Sequence, residues 1–150
     1  MNIEYKKFEE LNSEILADLY ELEGYIFPKP LAKDKITREL SCKHNVFICM
    51  AYEGKKPLGY KVGFERSKRI YYSWIGGVIP DYRGKGIAKE LMQMQHDFAG
   101  KNGYRVVCTQ TDNSFKPMII LNLNSGFEIK GTLQSTGDEY ITIIMEKSLD

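Results

Sequence analysis

The stretch IGGVIPDYRGKGIAK, residues 75–89, decides how the rest of the chain is arranged. It overlaps an apolar run, residues 70–79, that is typical of a buried strand. Pro80 ends that strand, because proline cannot donate to a strand ladder. A glycine-bearing basic turn follows, and a helix is then predicted because apolar residues recur at the spacing of one helical face: Ile87, Leu91, Met94 and Phe98. Strand, turn and helix in this order predict a cluster of free backbone N–H groups at the helix start.

Such a cluster favours a phosphate-bearing anion. The helix dipole places roughly half a positive charge at the helix start, and Arg83, Lys85 and Lys89 add to it. Spacing excludes two common phosphate-binding loops. A P-loop needs Ser or Thr after its Gly-Lys pair, whereas Gly86 follows here. A dinucleotide motif needs a third glycine where Lys89 stands.

The pattern V-x-P-x-x-R-G-x-G-x-A does fit, with Val78 as its first residue and Ala88 as its last. It resembles the coenzyme A loop of the GNAT N-acetyltransferase superfamily, and the segment from Thr111 to Gly131 is similar to a second motif of that family. The resemblance implies a mixed-sheet α/β fold of the acyl-CoA N-acyltransferase type. It also implies acetyl-CoA as co-substrate, no metal, and direct attack on the thioester by a primary amine of a small molecule or protein in a ternary complex.

The resemblance assigns roles to particular residues. The backbone N–H of Val78 is expected to donate to the thioester carbonyl. The residues expected to bind the cofactor are Val78, Ile79, Arg83, Gly84, Lys85, Gly86, Ile87, Ala88, Asn113 and Asn122. Many relatives carry, at the position of Asn122, a tyrosine that protonates the leaving thiolate. Many also carry a glutamate base on the fourth or fifth strand, at positions occupied here by Tyr72 and, approximately, Cys108.

The attacking amine must lose its proton, because a lysine-type amine is mostly protonated at pH 7. Glu65, Tyr72, Glu23 or a water chain are all candidates for the base, and Tyr72 is taken as the candidate catalytic side chain. The acceptor pocket is predicted to include Glu23, Tyr25 and Phe27 from the first helix and the segment after it, together with Trp74. A plain amphipathic helix with solvated glutamates is the alternative interpretation of that first helix.

Composition describes an ordinary globular chain. Its 150 residues predict one domain, 1–150, and its 21 basic and 20 acidic residues nearly cancel, which argues against a general nucleic-acid binder. The three cysteines are widely spaced and odd in number, which favours reduced thiols in a cytoplasmic protein. Neither a membrane span nor a signal peptide is predicted. His96 is interpreted as a surface or packing residue of the long helix.

Hydrophobic periodicity predicts the element order β-α-α-β-β-β-α-β-α-β-β. The strand at residues 105–111 is expected to run parallel to the strand at residues 70–79. Glycines 76 and 77 predict a bulge that separates the strand containing them from its next neighbour. Helix caps are expected at Asn12 or Ser13 and, for the last helix, at Asn113 or Ser114.

Two alternative functions remain open. One is a non-catalytic acyl-CoA-binding or regulatory module of the same fold, which the missing tyrosine and glutamate would suit. The other is a nucleotide-phosphate binder. The oligomeric state is open between a monomer and a homodimer.

Overall fold

The computed structural model describes residues 2–134, 136–137 and 139–150. The strands are β1 Glu4–Phe8, β2 Phe47–Glu53, β3 Lys56–Ser67, β4 Ile70–Val78, β5 Val106–Asp112, β6 Glu128–Leu133 and β7 Thr142–Ser148. The helices are α1 Ser13–Ile26, α2 Lys33–Ser41, α3 Ile87–Lys101 and α4 Lys116–Asn124, with a short 3-10 turn at Pro80–Tyr82. This order confirms the predicted mixed α/β arrangement.

One seven-stranded sheet organises the chain, in the order β1-β2-β3-β4-β5-β7-β6. Neighbouring strands are antiparallel except β4 and β5, which are parallel as predicted. The β4–β5 register begins at Ile70–Val106 and stops at Ser73–Thr109. Beyond that pair, β4 is paired with β3 alone and β5 with β7 alone. A gap therefore opens between β4 and β5 toward the carboxyl ends of both strands, and Ser73 and Thr109 form its apex.

The helices divide between the two faces of the sheet. Helix α3 packs on one face, where the rings of Phe98 and Tyr71 meet edge to face with centroids 5.8 Å apart. Helix α4 lies on the same face, since Asn122 approaches Met145 of β7. Helix α1 covers β3 and β4 on the opposite face, and Leu19 and Leu22 are fully buried there. In the described part of the chain, no helix is long and apolar enough to cross a membrane.

The bulge lies two residues earlier than the glycines predicted. Ser73 is opposite Gly63 and Ile75 is opposite Val62, so Trp74 is the extra residue, while Gly76 and Gly77 pair regularly with β3. The glycines instead permit close approach. A Cβ on Gly77 would lie 3.0 Å from Ile26 of α1.

One predicted cap is present and one is absent. Asn12 caps α1 by accepting the N–H of Ile15 at 2.8 Å. The predicted cap at Asn113 or Ser114 is wrong, because α4 begins after Phe115 without a side-chain cap. Asp112 instead accepts the N–H of Ser114 at 2.7 Å, which turns the chain before the helix starts.

Candidate active site

The loop between β4 and α3 exposes its backbone to solvent. Gly84 and Gly86 have φ of +77° and +82°, the left-handed region that glycine adopts without strain. A Cβ on either residue would have no atom within 4 Å, so the space above the loop is open. The side chains of Arg83, Lys85 and Lys89 are exposed around it.

Six consecutive N–H groups of this loop are free of acceptors in the part of the protein that the structure describes. Among the described residues, none of the N–H groups from Gly84 to Lys89 donates a hydrogen bond, and the first helical bond runs from Glu90 N to Gly86 O at 3.1 Å. Successive unpaired N–H groups at a helix N-terminus form an anion-binding concavity. The loop therefore has the donors and the positive charge that a diphosphate requires.

Backbone N–H groups at the end of strand β4 face the gap and continue the row of donors that the loop begins. Ile79 N donates to Leu58 O at 2.9 Å, which marks the Leu58–Ile79 pair as hydrogen-bonded. In an antiparallel ladder such pairs alternate, so Val78 turns its N–H and C=O away from β3. The same alternation turns the N–H of Gly76 toward the gap. Ile79, by contrast, was predicted to bind the cofactor, but its N–H is already used by Leu58.

Side chains around the loop hold its entry in place. The Nε of Arg83 donates to the carbonyl of Val78 at 3.1 Å, so part of the guanidinium fixes the end of β4 and the rest faces solvent. The hydroxyl of Tyr82 donates to Glu53 Oε1 at 2.7 Å, which ties the 3-10 turn to the β2–β3 hairpin. These contacts fix the loop before a ligand arrives.

The two predicted asparagines occupy different environments. Asn113 follows the end of β5, across the gap from Val78, and its side-chain oxygen accepts from Lys116 at 3.3 Å. Asn122 is buried in α4, where its amide lies 3.7 Å from the sulfur of Met145. The structure thus brings Asn113 to the mouth of the gap, which is the open end opposite the apex at Ser73 and Thr109. It turns the side chain of Asn122 toward β7.

Glu23 is buried and already bound at both carboxylate oxygens. The hydroxyl of Tyr60 donates to one oxygen, and the N–H of Leu31 donates to the other at 2.9 Å. Burial and the neighbouring carboxylate raise the pKa of Tyr60, so its proton stays in place. Glu23 therefore ties the loop after α1 to β3 and is not free to attract an amine.

Aromatic rings flank the gap on the α1 face. Phe27 lies beside Gly77, and its ring centroid is 6.2 Å from that of Phe115, which precedes α4. Phe115 is 44% exposed and therefore accessible at the mouth of the gap. Trp74 is half-buried at the bulge near the apex, whereas Tyr25 points to solvent. Phe27, Phe115 and Trp74 thus line one approach to the gap.

Two candidate bases lie away from Val78. Tyr72 precedes Val78 by six strand residues, about 20 Å at the strand rise of roughly 3.3 Å, and its ring lies against Phe64 and Arg66. Burial raises the pKa of Tyr72. Glu65 accepts from the hydroxyl of Tyr104 at 2.7 Å. The structure does not bring either side chain to the loop end of the gap.

Sequence reasoning did not identify Lys61 or Phe115 as residues of this region. In strand β3, Gly59, Lys61 and Gly63 alternate on the face covered by α3. A lysine between two glycines on a helix-covered face is an unusual pattern, since a strand face under a helix is normally apolar. This alternation is the sequence pattern from which Lys61 could have been singled out as a candidate site residue.

Comparison with known proteins agrees with this geometry. The model of the acetyltransferase (GNAT) family matches residues 13–119. The chain therefore belongs to the GNAT acetyltransferase family, and the predictions of this family, of its fold and of an N-acetyltransferase are confirmed. A sequence search of curated proteins finds no match.

Solved structures share the fold at low sequence identity. The ribosomal-protein-S18-alanine N-acetyltransferase from Escherichia coli is 16% identical with a TM-score of 0.83, covering 97% of this chain and 94% of that one. An aminoglycoside 6'-N-acetyltransferase complexed with coenzyme A is 14% identical, with a TM-score of 0.82 and coverage of 100% and 98%. A chain of the NatC complex bound to Gag peptide and CoA is 20% identical, with a TM-score of 0.81 and full coverage of both chains.

Proposed function

We propose that the chain holds acetyl-CoA along the loop and in the β4–β5 gap, and transfers the acetyl group directly to a primary amine in a ternary complex. The observation that carries this proposal is the row of unpaired N–H groups from Gly84 to Lys89, which leads to the opening beside Val78. The CoA named in two of the structures with this fold supports the choice of cofactor.

The backbone supplies the electrophilic assistance in this proposal. As the amine attacks, negative charge develops on the thioester oxygen, and the N–H of Val78 or Gly76 stabilises it. A fixed donor of this kind is worth about 3–4 kcal/mol. Holding both substrates in one complex removes an entropic barrier of about 7–11 kcal/mol. These terms require no side-chain nucleophile, which is consistent with a buried Cys108 that contacts Arg66.

The acceptor approaches from the α1 face, between Phe27 and Phe115. Rings at this mouth favour an amine whose carrier has an apolar or aromatic group beside it, because such a group is removed from water there. Small molecules and peptides both satisfy this requirement, and the names of the similar structures include both kinds of acceptor. The free thiols of Cys42, Cys49 and Cys108 suit a reducing compartment, and we place the protein in the cytoplasm.

The direct test is thiol release from acetyl-CoA with a panel of amines, measured from pH 6 to pH 9. The panel pairs peptides that begin with apolar residues against peptides that begin with charged ones, and adds amino acids, amino sugars and polyamines. Turnover with at least one amine, highest among apolar carriers, is expected. Saturable CoA binding without transfer to any amine would instead identify a non-catalytic module, and a larger thermal shift with ATP than with CoA would identify a nucleotide binder.

Gly86→Asp is the matched loss-of-binding variant. It places a carboxylate where the diphosphate is proposed to sit, so CoA binding and turnover should both be lost while the fold survives. Gly54→Asp is its control, because Gly54 also has positive φ, of +61°, and open space, in the β2–β3 turn. Wild-type CoA affinity in Gly86→Asp would contradict the placement of the cofactor.

A further inference from the structure

Lys61 reaches across β4 beneath α3. It is opposite Gly76 in the β3–β4 register, and a Cβ on Gly76 would lie only 3.3 Å from Lys61 Cγ. Gly76 lies three residues beyond the last β4–β5 pair, where the gap is open. Lys61 shares its face of the sheet with Cys49, whose thiol contacts the carbonyl of Leu91 in α3 at 3.5 Å. The Lys61 stem thus lies against Gly76 on the α3 side, and residue 76 has no side chain that would separate that stem from the gap.

The Lys61 amine has no ion pair or hydrogen bond among the described residues. Burial lowers its pKa. The titratable groups that face it supply no negative charge: burial raises the pKa of Cys49 to about 12, and His96 of α3 is neutral because its pKa is lowered to about 3. Beyond His96, Lys147 of β7 adds a second cation. Lys61 is half-buried, so its amine can reach the open gap, and an unpaired amine with a lowered pKa at the edge of a cleft favours a functional role.

Other unpartnered polar groups surround the same end of the gap. Gln95 is fully buried, and both of its amide atoms, together with His96 Nε2, have no partner within the described residues. The Nε2 of Gln95 lies over Gly63, which pairs with Ser73 at the apex. The α3 side of the gap is therefore polar, and the atoms of Gln95 and His96 there lack partners within the described residues, whereas the buried carboxylate of Glu23 on the other face is hydrogen-bonded.

We infer that Lys61 is a catalytic residue that protonates the sulfur of coenzyme A as the acetyl group leaves. This inference rests on the proposed function. The amine nitrogen forms a bond to the carbonyl carbon, the carbon–sulfur bond breaks, and its electron pair remains on sulfur. The Lys61 ammonium donates a proton to that sulfur, and the acetylated nitrogen releases its own proton to water. Lys61 regains a proton from solvent once coenzyme A has left.

The position of the loop explains why Lys61 meets the sulfur and not the acceptor amine. The loop lies at the start of α3, so the cofactor enters the gap from the α3 side, and the pantetheine arm continues along β4 past Val78. The acceptor approaches from the opposite face, beside Phe27. Asn122 cannot serve as the acid, because a neutral amide has no proton to give at this pH. A lowered pKa brings the ammonium of Lys61 closer to the pKa of a thiol, about 8.5. Lys61 therefore transfers its proton to sulfur more readily than an ordinary lysine does.

Lys61→Met tests the assignment with two acyl donors. With acetyl-CoA, kcat should fall about 10²-fold or more, the usual range for a lost general acid, with little change in KM. With acetyl-seleno-CoA, whose selenolate leaves without needing a proton, the variant should recover most of wild-type kcat. The melting temperature of Lys61→Met should rise, because methionine fills the same space without a charge. Lys55→Met is the control, since Lys55 is exposed in the β2–β3 turn.

Several outcomes would overturn the inference. Equal losses with both donors would show a structural role, and undiminished kcat with acetyl-CoA would show no role in the reaction. Lys61→Arg keeps the charge but cannot release a proton at working pH, so it should behave like Lys61→Met; wild-type activity in Lys61→Arg would refute proton donation. If Lys61→Met fails to fold, Lys61→Arg carries the same two-donor comparison. Wild-type protein that transfers nothing would refute the proposed function instead.

Discussion

Replacing His96 with glutamine should remove much of the acid sensitivity of the fold. His96 is 5% exposed, and its Nδ1 lies 3.4 Å from the amine of Lys147. Burial, followed by the charges of Lys147 and Lys61, lowers its pKa from 6.5 to about 3. Between those two values the unfolded chain binds a proton that the folded chain does not. The free energy of unfolding therefore falls as the pH is lowered from 6.5 toward 3.

The size of the effect follows from the same two values. Each pH unit in that window removes about 1.4 kcal/mol of stability. The contribution lost from His96 is therefore about 2 kcal/mol by pH 5 and about 3 kcal/mol by pH 4. A typical domain has only about 5–15 kcal/mol of stability in total, so the loss is large enough to measure. Glutamine retains polar atoms of similar reach and does not titrate.

Urea unfolding at pH 7.5, 6, 5 and 4 provides the assay, with stability read from the midpoint and slope of each transition. The difference between wild type and His96→Gln isolates the histidine, because the carboxylates titrate equally in both proteins. His44→Gln is the matched control at an exposed histidine and should follow wild type. Parallel pH profiles for wild type and His96→Gln would refute the claim that His96 is buried in its neutral form.

Two further substitutions test contacts at the site. Arg83→Ala should weaken CoA binding by about 1.5–3 kcal/mol, which is the range for charge-assisted hydrogen bonds. Calorimetry measures this loss. Arg66→Ala is the control, because Arg66 lies on the surface near Cys108 and its loss should leave the affinity unchanged. Tyr60→Phe should destabilise the fold by about 1.5–3 kcal/mol in urea, because it leaves a buried oxygen of Glu23 unpaired. Tyr82→Phe removes a more exposed Tyr–Glu bond and should cost clearly less stability than Tyr60→Phe; equal losses would contradict the burial argument.

The loop and the order of elements could be predicted because their signals are local. Pro80 ends a strand, the glycines at 84 and 86 permit positive φ, and the apolar period of α3 begins at once, so a short window contains the whole pattern. The parallel pairing of β4 and β5 followed from the helix between them, because neighbouring parallel strands need a crossover connection and that connection is usually a helix.

Distant contacts could not be predicted from such windows. The partner of Glu23 is Tyr60, 37 residues away, so the sequence showed a glutamate on a helix and not the bond that occupies it. The bulge at Trp74 is set by the register between β3 and β4, and the glycines beside it pointed to the wrong residue. Lys61 could not be assigned to the site from the sequence, because only the register between β3 and β4 sets its stem against Gly76.

Several unsatisfied polar groups of the described chain follow one path through the fold. It starts at the free N–H groups from Gly84 to Lys89, passes the gap-facing N–H groups of Val78 and Gly76, and ends at Lys61 with the buried amides of Gln95 beside it. Buried polar groups are normally paired, because leaving one unpaired costs about 1–3 kcal/mol. Only the atoms of Gln95 and His96 are both buried and unpartnered in the described chain, and together with the accessible donors of the loop they form a wall matched to a long, polar ligand, whereas Glu23 on the other face is fully bonded. The shape and polarity of the pantetheine arm, with a diphosphate at one end and a leaving sulfur at the other, satisfy that requirement.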